Sequence, residues 1–258
     1  MPIQDFEVLS KLGAGAFGTV FKVRRKEDGK IYAMKRVDIS KLSPKEVDDA
    51  LTEVRILASV RHRNVVSFLE AFVERARELI MVLDFCDAGD LSQQIDLHRN
   101  QRRYLPEARI WHYLIQLVDG LDCLHALRIV HRDVKPANAF LTAAGDVRLG
   151  DLNVSKVAKD GLLRTQIGTP YFMAPEIWAD KPYSESCDVW SLGCVAYELC
   201  ALKPPFNSRS IAGLGRAVRS GVYDPLSRSF SPPLRDLVAS LLTVRPASRP
   251  TCAFLAKS

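Results

Sequence analysis

Eight consecutive residues, His131-Arg132-Asp133-Val134-Lys135-Pro136-Ala137-Asn138, gather one acid, three cation-capable side chains and an amide. A charge cluster standing alone is ordinarily a solvated surface loop. These residue types also suit the in-line transfer of a phosphoryl group. That reaction leaves charge on equatorial oxygens and asks for an acid near the attacking hydroxyl, a cation on the phosphate and oxygen ligands for a hard metal ion. Asp133 has the chemistry of the first, Lys135 of the second, and Asn138 offers a neutral oxygen to a cation such as Mg²⁺. Asp151, in Leu149-Gly150-Asp151-Leu152-Asn153, adds a charged oxygen ligand downstream.

A long apolar-periodic segment and a short strand-like run flank this stretch, and the chain before it alternates strand patterns with one helix. Glu7 to Leu12 precedes Gly13-Ala14-Gly15-Ala16-Phe17-Gly18, and Thr19-Val20-Phe21-Lys22-Val23-Arg24 follows with period two. Asp28-Gly29 makes a turn, and Lys30 to Val37 returns as a third strand. The glycine spacing also fits a dinucleotide-binding fold, with Asp38 as its acid, but that fold opens a helix after the glycines and an alternating strand stands here. Glycines between two strands let backbone approach phosphates, with Phe17 at the tip as a lid. Lys35, alternating with Ala33, would face the same cleft; a lone strand lysine is otherwise a surface residue.

Ser43-Pro44-Lys45-Glu46 reads as a helix start with a capping serine, a proline at the first position and a glutamate three residues after the cap. Val47, Ala50, Leu51, Val54, Leu57 and Ala58 then recur at helical spacing. Glu53 lies beside that stripe, where a carboxylate needs a partner, and Lys35 is the candidate; the plain alternative is a surface glutamate. Val65 to Val73 and Leu79 to Phe85 read as two further strands. Pro106 opens a helix with Ile110, Leu114, Leu117, Val118, Leu121 and Leu124 in one stripe, which delivers the chain to His131, a packed histidine rather than a base. Asp188 to Leu202 is apolar nearly all round, as a buried central helix is, and Leu234 to Leu242 gives another helix.

The 258 residues suffice for a well-buried core in one domain or two lobes. A composition of 47% hydrophobic and 26% charged residues is that of a soluble globular protein, and a net charge of +6 is spread along the chain. Cys86, Cys123, Cys187, Cys194, Cys200 and Cys252 show no C-x-x-C pairing and read as free thiols of a reducing compartment. Asp5 and Glu7 stand where a signal peptide is apolar, and no apolar run reaches the length of a membrane span. A cytoplasmic address follows as the expectation.

Taken together, the glycine turn, Tyr32-Ala33-Met34-Lys35, the stretch 131–138, Asp151 and Ala174-Pro175-Glu176 resemble the eukaryotic protein kinases in order and spacing from end to end. The resemblance implies an α+β, two-lobed protein-kinase fold: a small, mostly antiparallel β lobe with one helix, and a larger, mostly helical lobe. As one kinase domain over 1–258, it divides into an N-lobe at 6–83, a hinge at 84–90 and a C-lobe at 91–258. It implies ATP with Mg²⁺ as cofactors, held by Leu12, Gly13, Ala14, Gly15, Ala16, Phe17, Gly18, Thr19, Val20, Ala33 and Lys35. At the hinge it implies Leu83 as gatekeeper, backbone groups of Asp84 and Cys86 for adenine, and Asp90 for ribose or peptide; Cys86 then reads as an inert hinge residue rather than a reactive thiol. Asp133 becomes the catalytic acid or positioner, with Lys135, Lys35 and Glu53 in catalytic support and Asn138 and Asp151 as metal ligands. Thr165 takes the place of an activating phosphosite whose phosphate pairs with Arg132, set by an upstream kinase or by autophosphorylation. Thr169 lies where substrate docks and is the weaker phosphosite. Arg249 is implied to pair with Glu176.

Within the family, residues 31–43, 138–142 leading to Asp151, and 190–203 look like the NIMA-related (NEK) serine/threonine kinases, with a cytoskeletal, centrosomal or ciliary setting implied by that likeness alone. Lys135-Pro136 and Gly168-Thr169-Pro170 favour serine or threonine acceptors on protein substrates; neither nucleic acid nor membrane is implied as a partner. Two positions depart from the family pattern. Asp151-Leu152-Asn153 replaces Asp-Phe-Gly, where asparagine is the non-glycine residue most tolerant of left-handed backbone, and Ala137 stands where basophilic kinases often carry an acid. The expectation is an active Ser/Thr kinase, with a pseudokinase scaffold as the alternative and a nucleotide-dependent oxidoreductase as a distant third.

Overall fold

The computed structural model describes residues 3–15, 18–40, 42–75, 77–150 and 170–257, without the side chains of residues 15, 44, 49, 50, 53 and 55–57. The described residues up to Cys86 belong to one compact unit, and residues 87–150 and 170–257 to a second.

The first unit is built on a sheet of five strands, β1 (Phe6–Gly15), β2 (Gly18–Arg25), β3 (Ile31–Asp38), β4 (Phe68–Glu74) and β5 (Glu78–Asp84). They lie in the order β1-β2-β3-β5-β4, every pair antiparallel. The period-two alternation puts Val23, Tyr32, Met34, Ile80 and Val82 into one core with Phe6. The β1–β2 hairpin closes on Gly15 opposite Gly18. Gly18 has φ +137°, and a Cβ there would lie 2.0 Å from the carbonyl oxygen of Arg36 on β3, so glycine alone fits. A strand follows the glycines, which removes the dinucleotide-binding alternative.

Helix α1 (Pro44–Ser59) starts as the sequence predicts. Ser43 donates its backbone N–H to Glu46 Oε2 at 2.7 Å, and the Glu46 N–H returns to Ser43 Oγ at 3.3 Å, which closes a capping box. Val65 and Val66, expected to open a strand, are buried before it, and β4 begins at Phe68. The Val65 N–H turns back to the His62 carbonyl, so these apolar side chains fill the core from a turn.

The second unit packs around α5 (Ser186–Ala201), whose Val189, Trp190, Leu192, Cys194, Val195, Ala196, Leu199 and Cys200 are all buried. Around it lie α3 (Glu107–Ala126), α6 (Ile211–Ser220), α7 (Pro232–Leu241) and the short α4 (Pro175–Trp178) and α8 (Cys252–Leu255). Helix α2 (Leu91–Asn100) was not legible as a separate element, because only Leu91 and Ile95 face the core. A small hairpin, β6 (Ala139–Leu141) with β7 (Val147–Leu149), packs on α3, where the buried Gln116 accepts the Val147 N–H at 2.9 Å. Among the described residues no helix is long and apolar enough to cross a membrane.

Candidate active site

The stretch 131–138 hangs from α5 by its backbone. The N–H of His131 donates to Asp188 Oδ2 and that of Arg132 to Asp188 Oδ1, each at 2.8 Å. His125, at the end of α3, lies 2.9 Å from Oδ2 through Nε2. Asp188 is fully buried, so these polar partners are what allow a carboxylate there. Arg132 sits at φ +68°, a left-handed conformation that costs a non-glycine residue ~1–2 kcal/mol and that the Asp188 bond holds in place. Below the loop, Val134 and Pro136 are buried, and His131 is a core residue whose Nδ1 accepts the Asp133 N–H at 3.3 Å.

What this frame presents is a compact polar group. Lys135 Nζ lies 2.7 Å from Asp133 Oδ2, and Asn138 Nδ2 donates to the same oxygen at 2.9 Å and to the Asp133 carbonyl at 2.8 Å. Both donors fall on Oδ2, which leaves Oδ1 without a donor among the described residues. Asn138 uses its N–H groups on Asp133, so its amide oxygen is the atom available to a hard cation. The Asn138 carbonyl accepts the Gly150 N–H at 2.9 Å, tying the residue before Asp151 to the loop. Asp151 itself, with Thr165 and Thr169, lies outside the described residues.

Beside the loop, residues 87–90 run along β6. Leu141 bonds to two successive residues, accepting the Ala88 N–H at 3.0 Å and donating its own N–H to the Gly89 carbonyl at 2.8 Å, while Asp87 Oδ1 accepts the Ala143 N–H at 2.7 Å. Asp90, assigned by resemblance to ribose or peptide, spends Oδ1 as the N-cap of α2, accepting from Gln93 N–H at 3.0 Å and from the Ser92 hydroxyl. Arg132 is exposed, its guanidinium 5.7 Å from the centre of the Tyr183 ring.

In the first unit, strand register gathers a second set. Val20 pairs with Lys35 and Lys35 with Met81, while Ala33 pairs with Leu83. Directly paired residues and residues two apart share a face. Val20, Ala33, Lys35 and Leu83 therefore lie on one face of the sheet, opposite the core of Met34, Ile80 and Val82. Leu12, Gly13 and Ala14 end β1 exposed, Thr19 follows Gly18 on β2, Asp84 closes β5 and Cys86 comes just after it. Ala16 and Phe17 are outside the described residues, as is the Glu53 side chain, so the expected Lys35–Glu53 pair is too.

The Arg249–Glu176 pair implied by resemblance is present and bidentate, Nη1 to Oε1 at 2.7 Å and Nη2 to Oε2 at 2.8 Å, with both side chains buried. Arg249 also donates to the carbonyls of Ser186, Thr243 and Val244. Asp188 and Ser191 escaped the sequence reading. The available signal was a charge and a hydroxyl on a helix otherwise apolar all round, each demanding a partner from elsewhere.

Comparison with known proteins fits this geometry. A family model described as "Protein kinase domain" matches residues 6–258. The chain is 36% identical over 253 residues to "Probable serine/threonine-protein kinase nek2" of Dictyostelium discoideum, covering 96% of this chain and 60% of that protein. It is 39% identical over 251 residues to "Serine/threonine-protein kinase Nek1" of Mus musculus, covering 96% of this chain and 21% of that protein. With "G2-specific protein kinase nimA" of Emericella nidulans it shares 35% identity over 279 residues, covering 97% of this chain and 40% of that protein. The chain thus spans less than two thirds of the length of these relatives. An antiparallel five-stranded unit, a helical unit built on a buried helix, and a match running through both make this chain a member of the protein kinase domain family, similar within it to the NIMA-related kinases.

Proposed function

We propose that the chain is a serine/threonine protein kinase of NIMA-related type, transferring the γ-phosphoryl group of ATP to hydroxyls of protein substrates. The observation that carries the reading is the Asp133–Lys135–Asn138 group held on the α5 carboxylate. Asp133 Oδ1 is the oxygen left to meet an acceptor hydroxyl. It receives the hydroxyl proton as the new oxygen–phosphorus bond forms and the bond to the β–γ bridging oxygen breaks, releasing ADP. Lys135, already on Oδ2, places its positive charge beside the carboxylate, where it would offset charge on a bound phosphate.

The donor set fits a hard cation, since the Asn138 amide oxygen is free of intraloop bonds and Asp151 follows a residue bonded to Asn138. Magnesium bound there would offset phosphate charge. From the first unit, Lys35 with Glu53 and the glycine turn at 13–18 handle the phosphates, and backbone groups of Asp84 and Cys86 meet adenine. Thr165 is the activating phosphosite, filled by an upstream kinase or by the chain itself, with Arg132 as its partner. On this reading the enzyme works in the cytoplasm, and a cytoskeletal or centrosomal setting rests on likeness to its relatives.

The test is transfer of labelled γ-phosphate from Mg-ATP to the protein and to a generic Ser/Thr substrate, with Asp133→Ala alongside. Label on serine or threonine that falls by about 10²–10⁴-fold in the variant, with nucleotide binding kept, supports the kinase. Full activity in Asp133→Ala removes the assignment. Nucleotide binding without transfer, before and after phosphorylation of Thr165, favours the scaffold.

A further inference from the structure

Helix α5 holds a second backbone segment besides the loop 131–138. Ser191 stands one turn after Asp188 and is buried. Its hydroxyl lies 2.8 Å from the carbonyl oxygen of Phe172 and 3.0 Å from that of Cys187, four residues back on its own helix. A hydroxyl has one hydrogen to give. The Cys187 carbonyl already belongs to the helix ladder, whereas the Phe172 carbonyl has no other donor among the described residues. Phe172 belongs to residues 170–173, just before Ala174-Pro175-Glu176, where among the described residues a single turn bond, Met173 N–H to Pro170 O at 3.4 Å, is the local backbone support. Arg249 fixes the far end of this segment through Glu176. Ser191 fixes its near end.

Asp188 and Ser191 are three apart on one helix and so lie on one face of it. One grips the backbone beside Asp133, and the other grips the backbone leading into Ala174. We infer that Ser191 is a positioning residue for the acceptor substrate: by holding the Phe172 carbonyl to α5 it sets where residues 170–173 present an acceptor peptide relative to Asp133. The inference rests on the kinase reading above, in which the segment before Ala-Pro-Glu receives the acceptor. Ser191 touches neither nucleotide nor acceptor, and its action passes through the backbone of Phe172.

The test is Ser191→Ala, with Ser191→Thr to restore the hydroxyl. In Ser191→Ala, KM for an acceptor peptide should rise about fivefold, the equivalent of one net hydrogen bond of ~1 kcal/mol, while KM for ATP stays within about twofold. Amide hydrogen exchange over residues 170–173 should quicken, and Ser191→Thr should return both readouts toward the parent. The exchange measurement needs no activity, so it tests the tether even if the parent chain transfers no phosphate. An unchanged peptide KM together with unchanged exchange overturns the inference. Equal rises in both KM values also overturn it, as does failure of Ser191→Ala to fold, since the serine would then be a structural tie of the core.

Discussion

Replacing Asp188 by asparagine removes one acceptor from a fully buried site that, among the described residues, serves three nitrogen donors besides the Cys187 thiol. Asparagine brings one oxygen. Placed where Oδ2 was, that oxygen keeps His131 and His125, but the Arg132 N–H then faces an amide nitrogen. Turned the other way, it keeps Arg132 and orphans the other two. The first arrangement is the cheaper. It forfeits one hydrogen bond from a part-buried N–H to a charged acceptor, ~1.5–3 kcal/mol. This predicts a loss of ~1.5–3 kcal/mol in unfolding free energy, readable from urea melts followed by tryptophan fluorescence, to which Trp190, two residues along the same helix, contributes. The bond lost is the one that holds Arg132 at φ +68°, so the backbone next to Asp133 relaxes as well. On the proposed function, a displacement of ~1 Å at Asp133 costs about a hundredfold in rate, and kcat should fall by that order with ATP affinity little changed. A variant within ~1 kcal/mol of the parent, transferring phosphate at the parental rate, would refute the idea that the α5 carboxylate sets the loop.

Arg249→Met should lose ~3–5 kcal/mol of stability in the same melts, because it leaves the buried Glu176 carboxylate without a cation and the Thr243 and Val244 carbonyls short of donors. A loss below ~1 kcal/mol would show that the pair is dispensable to the core. Burial pushes the Glu198 carboxyl up from its ordinary 4.5 to about 6, against the pull of Arg99. Its folded form binds the proton more tightly than its unfolded form, so this contribution to stability is full below pH 4.5 and is lost as pH rises through about 6. The loss is ~2 kcal/mol at neutral pH. Glu198→Gln should flatten that part of the stability profile and exceed the parent above pH 7, as measured by melts across the range; a profile as steep as the parent's would rule the carboxyl out as its source.

Sequence and structure agree where the constraint is local. The capping box at Ser43 and Glu46 is a three-residue relation, and Gly18 is demanded by a turn whose partners lie within a hairpin and its neighbour strand. The apolar girth of α5 announces a buried helix from its own residues. The misreadings arise where burial is decided by distant elements. Val65 and Val66 are apolar because a turn fills the core, and alternation cannot tell such a turn from a strand. Helix α2 buries only Leu91 and Ile95, too few to set a period, and its clearest mark is the cap made by Asp90, a residue first read for its possible ligand.

Long-range polar contacts were the least legible, and they hold the candidate site together. Asp188 meets the backbone at residues 131 and 132, and Ser191 meets it at residue 172; no pattern within a helix encodes such distant partners. Both residues sit on the most apolar of the described helices and far in sequence from the cluster at 131–138. Yet a charge or hydroxyl at the centre of a core costs free energy unless it is bonded. Its presence on such a helix is therefore a demand for a donor or acceptor brought in by another segment. In this chain the segments that answer are the catalytic-type loop and the stretch before Ala-Pro-Glu. Asp133, Lys135 and Asn138 owe their mutual geometry to their own spacing, but their place in the fold is set from α5. Changes on that helix should thus reach the chemistry without touching any group that performs it.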